Sequence, residues 1–324
     1  MSRALRSAAG AAEAAVLLGL AAALRPVSPR GRVRIGAALG RLAAAADRSR
    51  RRQVETRIAG RLGLPAEDAA RIARGVYRHF GRVLAEILAL PEYAKERAAP
   101  LFEVTGFEHF LAAKARGRGV LVFSGHIGNW ELVAARQAAA GHPLDFIARP
   151  PENPALRRAF RRWREAAGNR VLGRRGALRR AVRSLREGRS VAILIDQHVS
   201  GPPRLWLPFL GKLAAVTPAL GHLALRLGAP AVPVVSVPRP DGGYDIRYFP
   251  ALEPPEGGDL EERVARLTLA ATQRIEGWIR ERPETWLWLH DRWKPPPPNE
   301  PPSLGRRYRG VPTAGPAASR GEAP

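Results

Sequence analysis

Between residues 104 and 248, short apolar runs alternate with stretches of helical period. Residues 119–125 read GVLVFSG and residues 190–196 read SVAILID. Each is an unbroken, β-branched run of strand length, the pattern of a strand covered on both faces. Residues 229–237, APAVPVVSV, form a third run. Pro233 within it implies an edge position or a bulge, because proline cannot donate to a sheet ladder. Residues 244–249, YDIRYF, alternate apolar with polar after the turn Asp241-Gly242-Gly243, so this segment folds back as a hairpin. Helices fill the gaps. Thr217 suits an N-cap, Pro218 the first helical position and Gly228 a left-handed stop. Leu260, Val264, Leu267, Ala271, Ile275, Trp278 and Ile279 fall on one stripe of a long late helix. Strands separated by such helices predict an α/β fold, with a mixed, mostly parallel central sheet flanked by helices.

The N-terminal pattern is different. Residues 7–24 are rich in Ala and Leu, with one charge at Glu13. As a helix they would extend about 27 Å, close to a hydrocarbon core roughly 30 Å thick. Arg3 and Arg6 precede the segment, and Arg25, Arg30, Arg32 and Arg34 follow it. This predicts an N-terminal hydrophobic anchor helix, spanning the membrane or lying in its interface with arginines at the phosphates; an ordinary buried helix is the alternative. A basic helical region over residues 33–89 carries the run Arg48-Ser49-Arg50-Arg51-Arg52, either a solvated face or a lipid-facing one. From residue 295 the chain is Pro-rich and polar. The expected organisation is an anchor over residues 1–32, one α/β domain over 33–298 and a Pro-rich disordered tail over 299–324.

Composition narrows the partners. The 324 residues carry 53 Lys and Arg against 29 Asp and Glu, a formal charge of +24. Arginine supplies nearly all of it, since lysine occurs only at Lys95, Lys114, Lys212 and Lys294. Such a field attracts nucleic acid, anionic headgroups or an acidic protein. The arginines are scattered and no stacking-aromatic motif accompanies them, which argues against a nucleic-acid module, whose binding would fall steeply with salt. The chain has no cysteine, which excludes disulfides and thiolate metal sites. It has no internal repeat, no P-loop and no glycine-rich nucleotide fingerprint.

The chemistry concentrates in VFSGHIGNWELVAA, residues 122–135. With residues 120–124 as a strand, His126 lies at its carboxyl end, where α/β sheets open their ligand crevices. On one continuous helix, His126 and Glu131 would point about 140° apart. On a glycine turn leading into a first helical turn, Glu131 can fold back to the imidazole. The pair is then a base and its orienter: the carboxylate fixes the tautomer and stabilises the imidazolium. The plain alternative is a structural histidine and a chance spacing.

GHIGNWE (125–131) resembles the His-x4-Asp/Glu motif of the lysophospholipid acyltransferase superfamily, and specifically the HtrB-type lipid A biosynthesis acyltransferases. Three later blocks are similar to that family in order: ARPPENPALRRAFRRWRE (148–165), ILIDQHVSGPPRLWLPFLG (193–211) and RPETWLWLHDRWKPPP (282–297). The resemblance covers residues 17–297. It implies a glycerol-phosphate-acyltransferase-like sandwich whose His126 deprotonates a hydroxyl of a lipid A precursor, with Glu131 as orienter. The hydroxyl then attacks an acyl thioester on acyl carrier protein, an acidic donor suited to an arginine-rich surface. It further implies oxyanion or substrate-binding roles for Asn129, Arg149, Arg164, Arg174, Asp196 and His290, Asp196 tying down an arginine or the His126 loop, or serving as a cap. No metal and no resident cofactor is implied. The expected location is the cytoplasmic face of the inner membrane. Many family members read Asp-Gln-Asp where this chain has Asp196-Gln197-His198, which bears on the acceptor headgroup. Trp286, Trp288 and Trp293 suit either core packing or interfacial anchoring. Rival readings are a related acyltransferase using acyl-CoA on a phosphatidylinositol mannoside or lysophospholipid, a basic nucleic-acid-binding protein, and an inactive membrane adaptor.

Overall fold

The computed structural model describes residues 3–148, 151–173 and 176–295. Four helices come first: α1 (Arg3–Leu24), α2 (Pro29–Ala46), α3 (Arg48–Leu62) and α4 (Ala66–Leu88), followed by the short α5 (Leu90–Tyr93). The α/β part then runs β1 (Phe102–Thr105), α6 (Phe107–Ala115), β2 (Val120–Ser124), α7 (Trp130–Ala139), β3 (Leu144–Ile147), α8 (Pro154–Glu165), β4 (Arg170–Leu172), α9 (Ala177–Arg186) and β5 (Ser190–Leu194). A hairpin of β6 (Leu205–Phe209) and β7 (Lys212–Val216) precedes α10 (Ala219–Leu227), β8 (Ala231–Pro238), β9 (Tyr244–Tyr248) and α11 (Leu260–Glu281).

The main sheet has the order β1-β9-β8-β2-β5-β3-β4. β8, β2, β5, β3 and β4 are parallel, and β9 runs antiparallel to β8 while pairing in parallel with β1. The apolar runs therefore do become a mostly parallel centre. β2 is buried at every position, as its Val120-Leu121-Val122-Phe123 run requires. β8 is interior rather than an edge, contrary to the expectation from Pro233. Pro233 is tolerated because β8–β9 pairing begins one residue later, at Val234↔Tyr248, and the Pro233 carbonyl still accepts from the Phe249 N–H. The hairpin β6–β7 and the strands β1, β3 and β4 add pairing beyond the four runs read from the sequence.

The helical N-terminal part meets the carboxyl end of this sheet, where α4 bonds to the turn after β2 and to the start of β9. α2 and α4 cross with glycines at the contact: a Cβ on Gly40 would run into the Tyr77 carbonyl, and one on Gly36 into the backbone at Gly81 and Arg82. α4 turns Val76, Tyr77, His79, Val83 and Glu86 inward. Among the described residues, no helix is long and apolar enough to cross a membrane, which corrects the expectation of a spanning anchor. Alanine contributes too little hydrophobicity for that. Instead Ala14, Ala21 and Leu24 of α1 are buried on one stripe, while Ala15, Val16, Ala22 and Ala23 are exposed. Asn153 at the start of α8 donates to the Gly10 carbonyl at 2.6 Å, tying α1 to the α/β part. In the run at residues 48–52, Arg48, Arg50 and Arg52 are exposed and Arg51 pairs with Glu55. The expected tail over residues 299–324 lies outside the described residues.

Candidate active site

β2 and β5 are adjacent and parallel, with Ser124 in register with Leu194. Two residues beyond each strand come His126 and Asp196. Extending the register brings them side by side at the carboxyl end of the sheet, the usual place for a ligand crevice in this architecture. The His126 Nδ1 is 2.7 Å from Asp196 Oδ1, and the His126 backbone N–H donates to Oδ2 at 2.6 Å. The Trp286 indole N–H donates to the same Oδ2 at 2.8 Å. Burial by itself would raise the Asp196 carboxyl; the adjoining imidazole and these donors hold it below the usual carboxylate range.

An ionised carboxylate accepts only, so Nδ1 carries the imidazole proton and Nε2 keeps its lone pair. The third contact agrees: the Gln197 amide N–H stands 3.1 Å from Nε2, as a donor. Gln197 is exposed, so the basic nitrogen faces the open side of the site. The Trp130 ring packs edge-on against His126, with centroids 4.7 Å apart.

The turn is held from several directions. The Leu287 N–H donates to the His126 carbonyl, the Gly128 N–H donates to the Thr285 carbonyl, and Ile127 bridges to Trp286. The C-terminal block is thus part of the site's frame. Gly128 has φ +60°, and a Cβ there would collide with Ser236, so only glycine lets the chain leave β2 this way. The Ser236 hydroxyl accepts from the Asn129 N–H at 2.8 Å. From α4, His79 bonds the Gly128 carbonyl at 3.0 Å, and Glu86 accepts from the Asn129 side chain at 2.8 Å. Glu86 also receives Arg82 at 2.8 Å and the Tyr244 hydroxyl at 2.6 Å, so its fully buried charge is compensated.

The expected partnership of His126 with Glu131 is corrected here. Glu131 sits in the first turn of α7 and grips Arg164 of α8 in a two-pronged pair, with Nη2 at 2.5 Å from Oε1 and Nε at 3.0 Å from Oε2. The carboxylate on the imidazole is Asp196. The reason is directional: the first turn of α7 aims Glu131 across to α8, while β5 delivers Asp196 straight to Nδ1. Asn129 is fully buried; it caps α7 by accepting from the Leu132 N–H, and its amide is spent on Glu86, so it faces the fold rather than an acceptor. His290 accepts the His198 N–H at 3.1 Å on Nε2, holding the loop that follows Asp196. Burial keeps the His290 pKa below its ordinary value. Arg149 and Arg174 lie outside the described residues.

Sequence reasoning did not single out His79, Glu86 or Ser236, named Gln197 only as part of the Asp196-Gln197-His198 segment, and left Trp286 between packing and anchoring. Gln197 follows Asp196 directly, which is a local signal. The others reach the turn from distant segments and leave no mark in the local spacing.

The chain matches the family described as bacterial lipid A biosynthesis acyltransferase over residues 6–295. It belongs to that family. Among named relatives, it is similar to a lipid A biosynthesis lauroyltransferase of Escherichia coli, with 30% identity over 63% of this chain and 66% of that enzyme. The match therefore spans just under two thirds of that relative's length. A lipid A biosynthesis palmitoleoyltransferase of the same organism is 27% identical over 72% of this chain and 75% of its own. A phosphatidylinositol mannoside acyltransferase of Mycolicibacterium smegmatis is 24% identical over 71% and 74%. The family is one of acyltransferases; the first three blocks read from the sequence fall within the matched span, and the fourth, 282–297, runs two residues past its end.

Proposed function

We propose that this protein transfers a fatty acyl chain from a thioester on acyl carrier protein to a hydroxyl of a lipid A precursor at the cytoplasmic face of the inner membrane. The observation that carries this reading is the His126–Asp196 pair, whose tautomer leaves Nε2 basic and turned to the exposed side. Nε2 accepts the acceptor's hydroxyl proton as the oxygen attacks the thioester carbonyl. The carbon–sulfur bond breaks, and the imidazolium returns the proton to the departing thiolate. Asp196 positions the ring and stabilises the imidazolium while it lasts. Gln197 yields Nε2 to the incoming hydroxyl.

Arg164, held by Glu131 of the helix that follows the His126 turn, supplies a fixed positive charge for the developing oxyanion or an anionic group of the substrate. Glu131 thus remains essential in the proposal, acting through Arg164 rather than through His126. His290 keeps its candidate place through the loop at His198, which faces the headgroup. The exposed small apolar side of α1 and the exposed arginines that follow it, Arg25, Arg30 and Arg34, meet the membrane surface.

The test is lipid mass spectrometry of cells lacking the gene, together with turnover of acyl carrier protein thioester by the purified enzyme. A lipid A species lighter by one acyl chain, restored by the wild-type gene and not by His126→Ala, is expected. An unchanged lipid A with a lighter inositol mannoside would overturn the acceptor. Thiol release by His126→Ala at the wild-type rate would overturn the mechanism.

A further inference from the structure

Away from His126, the turn between α1 and α2 and the segment after α5 enclose an open-mouthed cavity of about 350 Å³. Its wall includes Arg25, Ser28, Arg32, Glu92, Tyr93 and Arg97. Three arginines thus face one carboxylate, and that carboxylate is already engaged: Glu92 binds Lys95 at 2.8 Å and pairs with Arg97.

Arg32 is the unusual member. It is only 4% exposed, yet no carboxylate lies within ion-pair distance of it among the described residues. Its Nε donates to the Leu24 carbonyl at 2.9 Å and its Nη2 to the Arg25 carbonyl at 2.7 Å. Its remaining neighbour is the face of Tyr93, with the guanidinium carbon 5.1 Å from the ring centroid. Carbonyl dipoles and a ring quadrupole offset part of the desolvation of a buried cation but leave its charge unneutralised. The Tyr93 hydroxyl is likewise buried and without a hydrogen-bond partner. The first turn of α2, capped by Ser28, adds the positive end of an 18-residue helix. A buried cation, an unpartnered hydroxyl, two more arginines and a helix N-terminus around one cavity describe a site built for an anion.

We propose that this cavity binds a phosphate group, carried by an anionic lipid headgroup or by a soluble phosphate ester, between Arg25, Arg32 and Arg97. The size is ample for a phosphoryl group with part of the alcohol that bears it. Guanidinium forks suit tetrahedral phosphate oxygens better than ammonium groups do. Its position gives the site a use. Tyr93 belongs to one apolar cluster with Leu132 of α7 and Trp163 of α8, so the cavity sits behind the helices that carry Glu131 and Arg164. Arg25 also lies at the end of α1, with its guanidinium carbon 5.7 Å from the Trp163 ring centroid. The inference extends beyond acyl transfer, because no residue of the proposed chemistry lines the cavity.

The experiment is calorimetric titration of the full-length protein, in zwitterionic detergent at low salt, with inorganic phosphate and with glucose 1-phosphate. Vesicle flotation on phosphatidylcholine with and without phosphatidylglycerol forms the lipid arm. The double variant R25Q/R97Q should lose at least about tenfold in affinity for the phosphate probe that the wild type binds best. The charge-matched control R48Q/R52Q, both sites exposed on α3, should not. His126→Ala should bind as the wild type does, so failure here is separable from failure of the transfer mechanism. Stronger capture by phosphatidylglycerol vesicles than by glucose 1-phosphate assigns the site to lipid; the reverse assigns it to a soluble ester. No saturable binding of any phosphate probe by the wild type, or equal losses in the two double variants, overturns the proposal.

Discussion

Two buried carboxylates stand near the carboxyl end of the same sheet, and they have opposite partners. Asp196 is 2% exposed and holds an imidazole; Glu131 is 5% exposed and holds a guanidinium. An imidazole can change charge near neutral pH, while a guanidinium stays charged throughout. The first pair can therefore pass a proton and the second can only present a fixed charge. A buried carboxylate is defined by what it holds, and the five-residue spacing in the motif joins residues of two different pairs.

The comparison breaks most sharply at His126. Removing the ring should lower acyl transfer by about 10³-fold or more, in the upper range for a general base. Circular dichroism should stay near wild type while the thermal midpoint falls, since the buried Asp196 loses the ring but keeps the His126 backbone N–H and the Trp286 indole as donors. Asp196→Asn comes next, with an expected loss of about 10²-fold in kcat. The amide can donate to Nδ1 and so favours the tautomer with the proton on Nε2, the wrong one for a base. If Asp196→Asn keeps full kcat, Asp196 is only a structural acceptor for the backbone and Trp286.

A second histidine sharpens the first pair by contrast. His79 is buried and bonded to the Gly128 carbonyl, and burial lowers its pKa from 6.5 to about 4. Its folded form therefore binds fewer protons than the unfolded chain between those values. The stability it contributes is present above pH 6.5 and is lost as pH falls towards 4, an amount of about 3 kcal/mol. Denaturant titrations of His79→Gln across that window should show a flatter pH dependence than wild type. An identical slope would show that His79 is not the group that titrates.

How much of this could be read in the chain beforehand follows physical lines. The apolar runs of β2, β5 and β8 announced themselves, because a strand covered on both faces must be apolar throughout. The helix of residues 260–281 was legible from its stripe, and Gly228 does end α10 in the left-handed conformation. His126 was legible from its place after a strand. Its true partner follows from a sheet register, Ser124↔Leu194, and a register is a long-range fact that no local spacing encodes. The same holds for Glu86, which reaches the Asn129 turn from α4 across 43 positions. Pro233 misled because proline forbids one hydrogen bond and not a central position; β9 ends where that bond would have been. The α1 segment misled because alanine-rich text resembles a membrane span in length but not in transfer energy.

The second pair can be tested with the smallest change. Arg164→Lys keeps the charge and loses the planar fork that meets both Glu131 oxygens. Transfer should fall by about tenfold, since the lysine still supplies a cation but no longer in one fixed place. Glu131→Gln should give a similar loss, because Arg164 then has only a neutral oxygen to hold it. If the two residues act as one unit, the double variant should be little worse than either alone. A loss in the double variant equal to the product of the single losses would mean that Glu131 and Arg164 work separately, and Glu131 would then have to reach the chemistry by a route other than Arg164. A change confined to KM would assign the pair to holding substrate, and one confined to kcat would place its charge at the oxyanion.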